Sequence, residues 1–244
     1  MKCYNLFCAD VFCLFVCLAI CFGFTAVCVA QDTDFKPLFN GKDLTGWEGN
    51  PKLWRAEDGM IVGQTGSEGD TKLTYNTFLI YKGELPKNFV VTFEYWLSKD
   101  GNSGLQYRSF ENNDAAKKFS LSGYQADFDG GNAHSGILYG EGFGGILANR
   151  GQVVSVGAGR KPKVLVQFAN SNTLKEKIKV EDWNSYEVTV DDFTSTHRIN
   201  GEMMSVCIDN DVKTRRDSGL LGLQAHVGPP MTVKIRNLKI KALP

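Results

Sequence analysis

The chain has 244 residues, with 27 Lys and Arg balanced by 27 Asp and Glu. A formal net charge of zero provides no basic field for gathering nucleic acid or an anionic membrane surface, so neither is indicated as a partner. Six of the seven cysteines (Cys3, Cys8, Cys13, Cys17, Cys21 and Cys28) precede residue 30, which leaves Cys207 alone in the rest of the chain and excludes a disulfide framework there.

In chain order, Lys2 is followed by an apolar stretch from Val11 to Val29 and then by "VCVAQD". That pattern predicts a secretory signal over residues 1–30 with cleavage after Ala30, and so a periplasmic or secreted protein with no membrane attachment after cleavage. The stretch is also long enough to serve as an uncleaved anchor. No linker, repeat or low-complexity tract interrupts residues 31–244, which are read as one domain large enough for a single core.

Short runs rich in Val, Ile, Phe and Tyr then recur between Gly, Asn and Asp clusters, from "GMIVGQ" through "FVVTFEYWL" to "MTVKIRNLKIKAL". Roughly ten or more strands with such turn signals predict an all-β sandwich of two antiparallel sheets, and the length suits a concanavalin A-like jelly roll. One short helix is expected over Thr173–Lys179, capped by Ser171 or Asn172. "ING" at Ile199–Gly201 predicts a tight hairpin, because Asn-Gly tolerates the positive φ of a type I′ turn.

Side-chain parity carries the functional expectation. In "FVVTFEYWL" the apolar set is Phe89, Val91, Phe93 and Tyr95, leaving Glu94 and Trp96 on the other face. The next run has Leu105 and Tyr107 inward, with Gln106 and Arg108 opposite. A hairpin joining the two would bring Glu94 beside Arg108. By the same test "GYQADF" directs Gln125 and Asp127 outward, and "LLGLQAHV" directs Gln224 and His226 outward.

If these strands share a sheet, one polar face collects Glu94, Gln106, Arg108, Gln125, Asp127, Gln224 and His226, with Trp96 as a platform. Amides, carboxylates and Arg suit sugar hydroxyls, and an indole suits the C–H face of a ring. A solvated sheet face has the same alternation. Of the three histidines, His226 could be a base or merely close a strand, and His197, beside its turn, is expected to face solvent. His134 lies on a Gly-rich loop that could cover a cleft. No two histidines have helical metal-ligand spacing, although Asp127, Asp129 and His226 could jointly hold a divalent cation. Cys207, in the apolar alternation "MSVCID", reads as a buried, inert thiol. There is no nucleophile elbow, no phosphate loop and no two-carboxylate strand of the retaining-glucanase type. Gln125 stands where a carboxylate would be needed, and a glutamine can neither attack an anomeric carbon nor protonate a leaving group.

Taken together, "PLFNGKDLTGWEG", "NSGLQYRS", "GYQADF", "GILYGEGFGGILANRGQ", "DWNSYEVTV" and "GLLGLQAHVGPPMTVKIRNLKIKAL" resemble the bacterial 3-keto-disaccharide hydrolase-like domain family, common in planctomycetes. The resemblance spans nearly all of residues 31–244. It implies a jelly roll and an oligosaccharide or glycoside substrate oxidised to a ketone at C3. Loss of the acidified C2 proton would expel the C1 substituent, and water would add back at C1. The family motifs fall on Asn102, Ser103, Gly104 and Arg108, and on Leu223, Gln224 and His226. In the middle motif a commoner glutamate is Gln125 here, with Asp127 two places on. The implied assignment has His226, or Asp127 through it, as base, and Arg108 or a bound cation at the C3 oxygen. Glu94, Trp96, Asn102, Gln106, Gln125, Glu141 and Gln224 would contact sugar. A non-catalytic glycan-binding module on the same fold is the alternative. Metal need and oligomeric state are not set by the sequence.

Overall fold

The structure, a computed structural model, describes residues 34–244. The expected leader and its cleavage site at Ala30 lie outside the described residues. The strands are β1 (Lys36–Pro37), β2 (Trp47–Glu48), β3 (Trp54–Glu57), β4 (Met60–Gln64), β5 (Thr77–Tyr81), β6 (Phe89–Leu97), β7 (Asn102–Glu111), β8 (Leu121–Asp129), β9 (Leu138–Glu141), β10 (Gly145–Ala148), β11 (Gln152–Gly157), β12 (Lys161–Gln167), β13 (Asn184–Asp191), β14 (Thr194–Ile199), β15 (Glu202–Asp209), β16 (Leu220–Ala225) and β17 (Thr232–Ala242).

Two sheets face each other. The larger runs β12-β11-β15-β14-β13-β6-β17-β4-β3, with β1 added to β17, and the smaller runs β10-β9-β8-β7-β16-β5-β2. The pairing is antiparallel except between β11 and β15, which run parallel and make the larger sheet mixed. The predicted Asn200-Gly201 hairpin joins β14 to β15, with φ of 52° and 81° at its two central residues. The helix α1 spans Ser171–Lys175, earlier than expected, because Asn170 rather than Ser171 or Asn172 caps it and accepts the Asn172 N–H.

The inward faces interdigitate through aromatic rings. Tyr95 of β6 stacks across the core on Phe128 of β8 at 4.2 Å between centroids, while Phe93 stacks on its neighbour in the same sheet, Tyr186 of β13, at 5.3 Å. Such pairs add about 0.5–1.5 kcal/mol each beyond the area they bury. Strict alternation in β6 leaves every second residue half-buried on a wet outer face.

The smaller sheet behaves differently, because β7, β8 and β16 are buried on both faces along most of their length. Part of its outer face is covered by a second apolar cluster of Phe78, Ile80 and Leu121, with Phe119 and Leu220 against it. Gly222 makes room for this cluster, since a Cβ there would lie 2.7 Å from Leu121 Cδ1. The rest of that outer face carries polar side chains.

The expected hairpin between β6 and β7 does not form. The segment between them crosses from one sheet to the other, so both apolar sets still face the core but their polar sets lie on opposite sides of the sandwich. Cys207 is buried, and burial pushes its thiol up to about 12, as suits an inert core sulfur. His197 is fully buried, not solvent-facing. Its Nε2 lies 3.1 Å from Tyr107 Oη, while Nδ1 lies 3.2 Å from Ile137 O and 3.3 Å from Tyr186 Oη. These partners satisfy a neutral ring inside the core, and burial lowers its pKa to about 3.

Candidate active site

A cleft of about 200 Å³ opens on the outer face of the smaller sheet. β8 supplies Gln125 and Asp127, β9 supplies Tyr139 and Glu141, and β16 supplies Gln224, with His226 just after it. Asn102 begins β7, Asn76 precedes β5, and His134 and Ile137 come from the loop after β8. The cleft therefore gathers parts of the chain far apart in sequence onto a face whose opposite side is the core.

Its polar side chains form one connected chain. Gln106 Nε2 donates to Gln125 Oε1 at 3.2 Å. Gln125 Nε2 donates to Asp127 Oδ1 at 2.5 Å and to Gln224 Oε1 at 3.2 Å. Gln224 Nε2 donates to Glu141 Oε2 at 3.4 Å, and Asn76 Nδ2 lies 3.3 Å from each Glu141 oxygen. Asn76 Oδ1 in turn accepts the Val227 N–H. Gln125, Gln224 and Asn76 each turn N–H towards a carboxyl.

Asp127 is 6% exposed. Burial pushes its carboxyl up to about 7, the Asp129 and Glu141 charges add to the rise, and the Gln125 hydrogen bond opposes it. Glu141 is also raised by burial, against the bonds from Asn76 and Gln224. Burial lowers His226, with a backbone hydrogen bond at Val227 acting the other way, so the ring is held neutral. Burial raises Tyr139 too, reinforced by the Glu141 and Asp127 charges. A carboxyl that titrates near neutral pH, with a second one raised by burial and a neutral histidine beside it, can exchange protons with a bound molecule.

Of the residues expected at the site, Asn102, Gln125, Asp127, Glu141, Gln224 and His226 meet in this cleft. Gln106 lies behind them, fully buried. Three do not belong. Glu94 and Trp96 sit on the outer face of the larger sheet, where Glu94 accepts from Arg236 Nε at 2.5 Å and Trp96 Nε1 donates to Glu181 O at 2.8 Å. Arg108 stands at a register shift between β7 and β8 with φ of 47°, a bulge that breaks strand parity. Its guanidinium reaches the carbonyls of Lys87, Asp192 and Arg216 and ties three loops together.

The divalent-cation set fails the same test. The Asp129 carboxylate accepts the N–H groups of Ala133, His134 and Ser135 and so shapes the loop after β8. Among the described residues no group of three or more His, Cys, Asp or Glu has metal-holding geometry, so Asp127, Asp129 and His226 do not fit a cation as a set. Asn76 and Tyr139 were missed. Tyr139 had a legible signal, since it stands two residues before Glu141 and shares its parity, whereas Asn76 lies in a loop where parity says nothing.

Fold and cleft together define an all-β sandwich with a carboxyl-bearing pocket on one outer sheet face. The chain belongs to the 3-keto-alpha-glucoside-1,2-lyase-like domain family, whose model matches residues 34–241. No curated protein matches it by sequence. Among solved structures it is similar to two described as "putative glycosyl hydrolase" from Parabacteroides distasonis. One is 22% identical over 87% of this chain and 95% of that one, with a TM-score of 0.55. The other is 16% identical over 86% and 99%, with a TM-score of 0.56. A Bacillus subtilis protein of unknown function with a galectin-like fold is 11% identical over 85% and 97%, with a TM-score of 0.52. At these identities the likeness establishes the sandwich fold. Among the described residues no helix is long and apolar enough to cross a membrane.

Proposed function

We infer that the chain cleaves 3-keto-glycosides in this cleft by C2 deprotonation, elimination at C1 and hydration. The observation that carries the reading is the pair Asp127 and Glu141, one carboxyl buried and one half-buried, both of raised pKa, in one cleft of a chain from this family. Ionised Asp127 takes the C2 proton. The electron pair left on C2 delocalises onto the C3 oxygen, where neutral His226 and Asn102 are the available hydrogen-bond donors. As that pair returns, the C1–O bond breaks and the departing oxygen takes a proton from Glu141. Water then adds at C1, with a proton returned to C2.

A base with its pKa near 7 combines availability with driving force at neutral pH, and such catalysis is worth about 10²–10⁴ in rate. No anomeric nucleophile is required, so the glutamine at 125 is no obstacle. With Arg108 elsewhere, the developing charge is met by neutral donors. The deciding experiment offers matched glycosides, one oxidised at C3 and one not, in D₂O. Release from the 3-keto sugar alone, with deuterium at C2 of the product, is expected. Equal turnover of the unoxidised sugar would overturn the route, and binding of both without turnover would make the chain a glycan-binding module.

A further inference from the structure

Gln106 is fully buried and does not line the cleft, yet its amide heads the chain of donors that ends at both carboxyls. Its own Oε1 is buried without a partner. An ionised carboxylate only accepts hydrogen bonds, so the end of Gln125 facing Asp127 must be its NH₂ group. Gln125 Oε1 then faces Gln106, and only the Gln106 NH₂ can meet it. The unmatched Gln106 oxygen is the residue of that constraint, and an aliphatic side chain would avoid it.

Gly104 supplies the second half of the arrangement. It pairs with Asp127 across β7 and β8, while Gln106 pairs with Gln125. A Cβ at Gly104 would lie 2.6 Å from Gln125 Cγ and 2.7 Å from both Cδ and Nε2. Gln125 therefore lies across the bare backbone of β7 to reach Gln224 on β16. Gly104 has no positive φ, so its use here is the space it leaves.

We propose that Gln106 and Gly104 are positioning residues for the reaction, Gly104 giving Gln125 its path across β7 and Gln106 fixing which end of that amide faces Asp127 and Gln224. This rests on the reading of Asp127 as base, because the N–H from Gln125 holds that carboxyl in one orientation towards the sugar. Neither residue touches substrate.

The test uses the full chain and two variants, Gln106→Met, which keeps length but removes the amide, and Gly104→Ala, which occupies the path. In ¹⁵N–¹H spectra without substrate, the Gln125 side-chain amide of the wild type should be shifted by its two acceptors and slow to exchange. Both variants should move that signal and accelerate its exchange. On a 3-keto-glycoside kcat should fall about 10-fold or more with KM within about twofold, since misplacement of a reacting group acts on the chemical step. An unmoved Gln125 signal in a folded variant overturns the proposal, as does a change confined to KM. The spectral shifts without turnover of any 3-keto-glycoside by the wild type would uphold the positioning and overturn only the reaction proposed above. If Gln106→Met does not fold, Gly104→Ala carries the same readouts.

Discussion

Asp127 is where stability and chemistry conflict most directly. Its pKa in the folded chain, about 7, stands above the ordinary aspartate value of 3.8. Between those values the folded state holds a proton that the unfolded state has released. Stability therefore falls as pH rises from about 4 to 7, at up to roughly 1.4 kcal/mol per unit. Above pH 7 the chain keeps a buried charge eased by one short bond from Gln125. Asp127→Asn removes that charge at constant shape. It should abolish turnover while raising the urea midpoint at pH 8, and should change the midpoint little at pH 4. A fall in the pH 8 midpoint would show that the ionised carboxylate stabilises the fold.

Arg108 illustrates how an element can override a residue's apparent role. Parity directs its side chain towards the polar face, but the β7 bulge turns it to three carbonyls in loops before β6, after β13 and before β16. Losing one side of such a buried, charge-assisted set costs about 2–4 kcal/mol. Arg108→Met should lower the melting temperature by several degrees yet leave kcat of the folded protein within about twofold. A kcat loss of 100-fold at full stability would return Arg108 to the chemistry. The same elements make the cleft possible, since β7, β8 and β16 lie side by side and present Gln106, Gln125 and Gln224 to one another.

At the scale of the molecule, His197 joins the two sheets. It comes from β14 of the larger sheet, meets Tyr107 of the smaller one, and also bonds the carbonyl of Ile137, a residue of the cleft wall. Its pKa is lowered from 6.5 to about 3 in the folded chain. Below pH 6.5 the unfolded chain gains a proton that the folded one refuses, so stability present above pH 6.5 is lost as pH falls towards 3. Urea unfolding at pH 7 and pH 5 should show the wild type losing about 2 kcal/mol more than His197→Gln, which cannot titrate. Equal losses would mean that the ring is protonated in the fold.

Much of this was legible beforehand for one physical reason. Alternation along a strand reports which side chains enter a core, and it identified the inward sets of β6, β7, β8 and β16 and the outward Gln125, Asp127, Gln224 and His226. The Asn200-Gly201 turn was equally local, since positive φ is a property of those residues. Parity has two values, however, and a sandwich has two sheets. It says inward or outward but not which sheet, so Glu94 and Trp96 were grouped with a cleft on the far side of the molecule. Bulges reset parity, which misplaced Arg108. His197 followed alternation into the core, against the expectation drawn from its neighbouring turn. Only the tertiary structure brought Asn76 and Tyr139 to Asp127, because long-range strand order decides which loops share a sheet face. The amide chain that links the two carboxyls exists only once β7, β8 and β16 are neighbours.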